Sequence, residues 1–198
     1  MENTKIVFID FDGTITTKDS LPDFIKFAIG KPKYYFGLCI LSPMLLAYVL
    51  KLLPNHIAKE KMISYYFKGW SENTFQALAD EYSVNNIDTI VRHKAIEKLR
   101  WHQEQGHKVV IVSASMKSWL KKWCDTHNVE LISTQLEIKQ GKLTGKFATK
   151  NCHGKEKVNR IKEQYPLQDY SYIYAYGDSS GDKDMLKLAN EAFYKPFL

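Results

Sequence analysis

The sequence predicts an α/β protein, a doubly wound parallel sheet interrupted by one helical insertion. Three observations carry this. Continuous apolar runs recur along the chain, as in "KIVFI" (5–9), "HKVVIVSAS" (107–115) and "YSYIYAYGD" (170–178). Strands covered on both faces read in this way, without the alternation of a half-solvated sheet. Helix-like segments separate the later runs, as crossover connections between parallel strands require. Finally, one long stretch between the first and second runs carries helical patterns only.

The elements follow in order. The first strand, Lys5–Ile9, is bounded by Asp10. From Leu21 to about Glu104 the pattern is helical throughout, with Ser71 as an N-cap and Gly106 as a C-terminal stop. Within it, "YYFGLCILSPMLLAYVL" (34–50) carries no charge and approaches the length of a membrane span. Gly37 and Ser42-Pro43 interrupt it and Lys31, Lys33 and Lys51 flank it, so it reads as a broken, buried pair of helices. Lipid contact through 34–53 is the alternative. The aromatics Tyr34, Tyr35, Phe36, Tyr65, Tyr66, Phe67 and Trp70 read as core of this helical block. After the second strand come a helix ("MKSWLKKWCDTHN"), a strand region ("VELISTQLEI") and a hairpin ("KQGKLTGKF") turning at Gly141. A helix ("GKEKVNRIKEQY"), the "YIYAY" strand, a short helix ("GDKDMLKLAN") and a last strand ("EAFYKPF") complete the chain. The expected division is a core of 1–14 plus 91–198 and a helical insertion of 15–90.

Composition narrows the function classes. With 198 residues, the chain suffices for one domain with a modest insertion. Three scattered cysteines, Cys39, Cys124 and Cys152, exclude a disulfide scaffold or a zinc site and predict a reducing, cytoplasmic setting without a secretory leader. The net charge of +6 comes from lysines interleaved with acids, which argues for anionic small substrates and against nucleic acid. The chain is expected to be a monomer or a homodimer.

Ligands of doubly wound sheets bind beyond the carboxyl ends of the strands. Those ends carry Asp10, Asp12, Gly13 and Thr14; Ser113, Ala114 and Ser115; and Gly177, Asp178, Ser179, Ser180, Gly181 and Asp182. Lys155 opens the helix before the last of these strands. Asp10, Asp12 and Asp178 repel one another in a low-dielectric cleft unless something compensates, and hard oxygen ligands suit Mg²⁺. A magnesium ion with Lys155 neutralises a phosphate dianion. Ser113, with Ala114 beside it, and the backbone N–H groups of the Asp12-Gly13-Thr14 turn hold its oxygens. One carboxylate can attack phosphorus while its neighbour moves protons. Lys150 and Lys157 compete with Lys155, and Asp184 with Asp182. His102, His107 and His153 read as surface or capping residues.

With these residues in view, "DFDGT", "VIVSAS", the downstream Lys155 and "GDSSGDKDM" resemble, in order, the four motifs of the haloacid dehalogenase (HAD) superfamily. The insertion resembles the helical C1 cap of its phosphoserine-phosphatase-like branch, subfamily IB. The resemblance implies a Rossmann-like HAD core sheet and a Mg²⁺-dependent phosphomonoester hydrolase acting on a small phosphorylated metabolite. In that reading Asp10 is the nucleophile, forming an aspartyl-phosphate, and Asp12 is the general acid/base with its side chain free. Asp10, the Asp12 carbonyl and Asp178 hold the metal, Ser113 and Lys155 bind the phosphoryl group, and Asp182 orients Lys155 or a metal-bound water. Asp19 stands where the branch places a glutamate that selects the substrate. Other departures are "SAS" for Ser-Gly-Gly, Gly181 for asparagine, and no arginine in the helical block before Arg92, with Lys59 and Lys61 as stand-ins. Alternatives are a lipid-like or amino-alcohol phosphate as substrate, a phosphotransferase, a membrane-associated scaffold, or a non-enzymatic receiver-type protein.

Overall fold

A computed structural model describes residues 4–198. In chain order, β1 (Lys5–Ile9) leads into α1 (Ser20–Ile29), α2 (Lys31–Val49), α3 (Asn55–Phe67) and α4 (Glu72–Asn85). Next come α5 (His93–Glu104), β2 (Lys108–Met116), α6 (Lys117–Thr126) and β3 (Glu130–Thr134). A hairpin of β4 (Leu136–Lys139) and β5 (Lys142–Phe147) precedes α7 (Lys155–Gln164), β6 (Tyr172–Gly177), α8 (Lys183–Leu186) and β7 (Glu191–Tyr194).

Five strands form one parallel sheet in the order β3-β2-β1-β6-β7. Their apolar runs fill both faces. Ile6, Phe8, Val110, Val112 and Ile173 pack with Ile161 and Tyr165 of the α7 side and with Met185. Val7, Ile9, Val109, Ile111 and Tyr176 face the other way, toward α5, α6 and the helical insertion. Ile9 is in register with both Ile111 and Tyr176, so β1 and β6 end at about the same level while β2 runs on past them to Met116. The order reverses direction between β1 and β6, which opens the crevice where such sheets bind ligands.

The helices after β1 share the core of the sheet. Phe24 of α1 stacks on Trp119 of α6 at 4.7 Å between ring centroids, and meets Phe75 and Tyr82 edge-on. The β4–β5 hairpin joins this layer, since the N–H groups of Gly69 and Glu72 donate to the Leu143 and Gly141 carbonyls. Ser71 stands at the N-cap position of α4 without a side-chain cap bond.

The 34–50 segment differs from expectation in two ways. It is one helix, α2, running unbroken through Gly37 and Pro43. Gly37 is a contact rather than a break, because a Cβ there would lie 2.4 Å from the Tyr66 hydroxyl. Pro43 has no N–H to offer the carbonyl of Cys39 one turn back, and the Ser42 hydroxyl donates to that carbonyl instead, at 2.8 Å. The segment is also only half buried. Tyr34 and Gly37 face inward, whereas Tyr35, Phe36, Ile40 and Leu46 are exposed. Among the expected core aromatics, Tyr34, Tyr66 and Phe67 are buried and Tyr65 is exposed. No helix among the described residues is long and apolar enough to cross a membrane.

His102 is fully buried, contrary to the surface reading. Its ring nitrogens lie 2.8 Å from His107 Nδ1 and 2.8 Å from the Tyr176 hydroxyl, beneath the sheet. The three cysteines are free thiols, as their spacing implied.

Candidate active site

The end of β1 turns sharply through Phe11–Ile15. Gly13 has φ +83°, and a Cβ there would fall 2.4 Å from an Asp178 oxygen. Only glycine gives both the left-handed backbone and the close approach. This turn sets Asp10 beside the end of β6. Asp10, Asp178 and Asp182 each place an oxygen within 4.8 Å of the others. The Thr14 hydroxyl lies between Asp10 Oδ2 (3.2 Å) and Asp178 Oδ1 (3.1 Å) and can donate to either.

The cation among them is Lys157. Its ammonium donates to Asp10 Oδ1 (2.5 Å), Asp182 Oδ1 (2.7 Å) and the Val112 carbonyl (2.6 Å), wholly out of solvent. Lys155, the expected partner, is exposed at the first residue of α7. Residues two apart on a helix lie about 200° apart, so only one of the two lysines can face the sheet. The inward face of α7 is Lys157, Arg160 and Ile161, an i, i+3, i+4 stripe. Lys150 is exposed as well, and Asp184 pairs with Lys187 away from the cluster.

Burial is the largest influence on Asp10 and pushes its carboxyl up to about 7, against the pull of Lys157. Burial also raises Asp178, partly offset by the Thr14 hydrogen bond. Burial acts against the Lys157 ammonium too, yet Asp10 and Asp182 hold its pKa above the ordinary value. For Asp182, Lys157 and the Ser179 N–H and hydroxyl outweigh burial and keep the carboxyl below its usual range. Both Asp182 oxygens are thereby engaged. Asp10 and Asp178, facing each other across Thr14, are the pair left to hold a cation. Three formal carboxylates against one ammonium, all hard oxygen donors, fit a divalent ion such as Mg²⁺.

Asp12 is not free. Its Oδ1 accepts the N–H of Ser20, the first residue of α1, at 2.8 Å, and its Oδ2 accepts the Ser115 hydroxyl. A chain of donors stands behind it: Trp119 Nε1–H to Ser20 Oγ (3.1 Å), then Ser20 Oγ to Ser115 Oγ (3.0 Å). Ser20 and Trp119 have no role legible in the sequence: the Ser20 N–H bond to Asp12 is local, but the bonds that tie Ser20 to Ser115 and to Trp119 span 95 and 99 positions.

Ser113 is buried in β2, two residues past the level at which β1 ends, its oxygen accepting the Ser115 N–H at 3.0 Å. The neighbouring Ala114 carbonyl accepts from Lys59 of α3 (3.3 Å) and from Thr134 (3.2 Å). Of the two stand-in lysines, the structure brings Lys59 to the site and leaves Lys61 exposed. Burial lowers Lys59, while Asp12, Asp19 and Asp10 pull it upward. Asp19, at the N-cap position of α1, is raised by lost solvation and by Asp12, with Lys59 opposing. His153 is exposed, as read from the sequence, and its ring borders Gly181, where a Cβ would be 2.4 Å from its Nε2.

The haloacid dehalogenase-like hydrolase family model matches residues 7–187, so the chain belongs to that family and is one of its hydrolases. The chain is similar to protein CicA of Caulobacter vibrioides, with 34% identity across 97% of this chain and 86% of that protein. Among solved structures, a protein of unknown function from Bordetella pertussis Tohama I superposes with a TM-score of 0.84 at 21% identity, covering 96% of this chain and 89% of that one. A phospho-aspartyl intermediate analogue of phosphoserine phosphatase gives 0.69 at 17% identity, covering 96% and 86%. The fold is thus phosphoserine-phosphatase-like.

Proposed function

We propose that the protein is a phosphomonoesterase working through an aspartyl-phosphate on Asp10. The observation that carries this is the buried Lys157–Asp10 contact, facing Asp178 and set one residue from the anchored Asp12. Lys157 and Thr14 fix the Asp10 carboxylate in one orientation. Asp10 attacks phosphorus, the bond to the leaving oxygen breaks, and protonated Asp12 delivers its proton to that oxygen. Asp12, now a carboxylate, takes a proton from water as the water attacks phosphorus, which releases phosphate and restores Asp10. The hydroxyl of Ser113 and backbone N–H groups of the turn around Gly13 stabilise the equatorial oxygens, and the Lys157 charge, held against Asp10, offsets the negative charge gathering there. Asp182 positions Lys157.

Asp10, Asp178 and the Asp12 backbone carbonyl would hold a magnesium ion. When bound, the ion supplies charge neutralisation for the approaching dianion. Residues 15–90 act as a cap that brings Lys59 over the site. Lys59 and Asp19, of opposite charge, would select among small phosphorylated metabolites, whether amino-acid-like, amino-alcohol or lipid-like. A lysine there makes point-charge contacts instead of the bidentate fork of an arginine.

A receiver-type role is the reading from another class. The strand carrying Asp10 lies in the middle of the sheet, as a receiver's accepting strand does, so strand position does not separate the two. The held proton donor Asp12 and the long helical insertion favour turnover. The test is release of inorganic phosphate from an aryl phosphate with and without Mg²⁺. Metal-dependent turnover that disappears in Asp10→Asn supports the reading, and unchanged turnover in that variant overturns it.

A further inference from the structure

Helix α2 is apolar on both sides. Its inner side, including Leu38, Leu41 and Leu45, packs on the core. Its outer side presents Phe36 (67% exposed), Ile40 (52%), Leu46 (59%) and Leu50 (59%). At 100° per residue these four share a stripe of about 120°, and at 1.5 Å per residue they extend over about 21 Å. Ordinary surface helices carry charge on that face, and exposed apolar patches of this extent mark an interaction surface. An apolar groove lined by Ile29, Pro32, Lys33, Phe36, Tyr65 and Trp70 adjoins the stripe.

Charge identifies the occupant. Between Asp23 and Glu60 the sequence holds no acid, while Lys26, Lys31, Lys33, Lys51 and Lys59 fall within it. Lys31 and Lys33 are exposed at one end of α2, and Lys51 just beyond the other. Tyr35, exposed beside the stripe near the start of the helix, supplies an amphipathic ring. We propose that the outer face of α2, bracketed by these lysines, docks the protein onto the surface of a bilayer carrying anionic headgroups. The helix lies in the interface with its apolar stripe among the upper acyl chains and its lysines on the phosphates. A second copy of the chain fits less well, since pairing α2 with its own copy sets lysines against lysines.

Vesicle flotation of the full chain tests this, using phosphatidylcholine vesicles with and without about one-third phosphatidylglycerol. The expected result is flotation with the anionic vesicles at least about tenfold above the neutral ones, weakened by salt. Ile40→Asp should lower it about tenfold, and so should the double reversal Lys31→Glu/Lys33→Glu, which leaves apolar packing alone. Circular dichroism melts verify that both variants fold. Absence of flotation with anionic vesicles, or equal flotation by parent and both folded variants, overturns the proposal. A dimer that Ile40→Asp dissociates would assign the face to a second copy and likewise overturn it.

Discussion

Lys157 Nζ lies 2.5 Å from Asp10 Oδ1, and both side chains are closed off from solvent. The same ammonium reaches Asp182 at 2.7 Å, so a single cation serves two buried carboxylates. Charges in such a place are stable only together, because removing one partner leaves the others desolvated and unpaired.

Lys157→Ala should therefore destabilise the fold by about 3–5 kcal/mol and remove phosphate release. Lys155→Ala, at an exposed position, should stay within about 0.5 kcal/mol of the parent and retain activity. Denaturant unfolding and phosphate assays on the two variants check this. A reversed pattern would return the role to Lys155.

Asp12→Asn should lower kcat by about 10²–10⁴ through loss of general acid/base catalysis. The loss should be larger for an alkyl phosphate than for an aryl phosphate, whose leaving oxygen needs less help from a proton. Ser115→Ala removes one of the two bonds that hold Asp12. It should lower kcat by about tenfold with KM nearly unchanged, since only the orientation of the proton donor suffers.

Magnesium should raise the melting temperature of the parent, because a ligand bound only by the folded state stabilises it, by about 2.7 kcal/mol at a hundredfold excess over Kd. Asp178→Asn should weaken that response. A chelator should abolish phosphate release, and restored Mg²⁺ should recover it. A melting temperature indifferent to Mg²⁺ would count against metal binding at Asp10 and Asp178.

Stability should also depend on pH through His102. Burial, aided by His107, pushes its pKa down to about 3 from the ordinary 6.5. Above pH 6.5 the ring is neutral in both folded and unfolded chains, and its contribution to stability is fully present. Below 6.5 the unfolded chain takes up a proton that the folded protein refuses until about pH 3. Stability is therefore lost progressively across that window, with a limiting slope of about 1.4 kcal/mol per pH unit. Denaturant titrations between pH 7 and 5 should show a shallower slope for His102→Gln than for the parent.

Much of the fold was legible in the sequence because parallel strands leave an unmistakable apolar run, and their carboxyl ends must meet. Asp10 and Asp178 fall next to each other for that reason. The lysine was misread because its identity depends on helical phase rather than on the Gly-Lys dipeptide. Lys157, Arg160 and Ile161 fall at i, i+3 and i+4, which already marks an inward face in the sequence. Lys155 shares its side with Asn159 and Lys162, residues that belong in water. Pro43 suggested a helix break, but a neighbouring serine satisfied the stranded carbonyl. The Ser20 bond to Asp12 spans only eight residues, but the Ser115 bond had no local signature, since it exists only once β2 is brought against the turn after β1.

The most direct test of the chemistry is a covalent one. The protein is mixed with an aryl phosphate and Mg²⁺, quenched in acid during turnover, digested and weighed by mass spectrometry. The expected result is one phosphoryl group on the peptide containing Asp10, lost once the substrate is exhausted and absent from Asp10→Asn. Full turnover with no adduct in the parent, or the same adduct and turnover in Asp10→Asn, would contradict it.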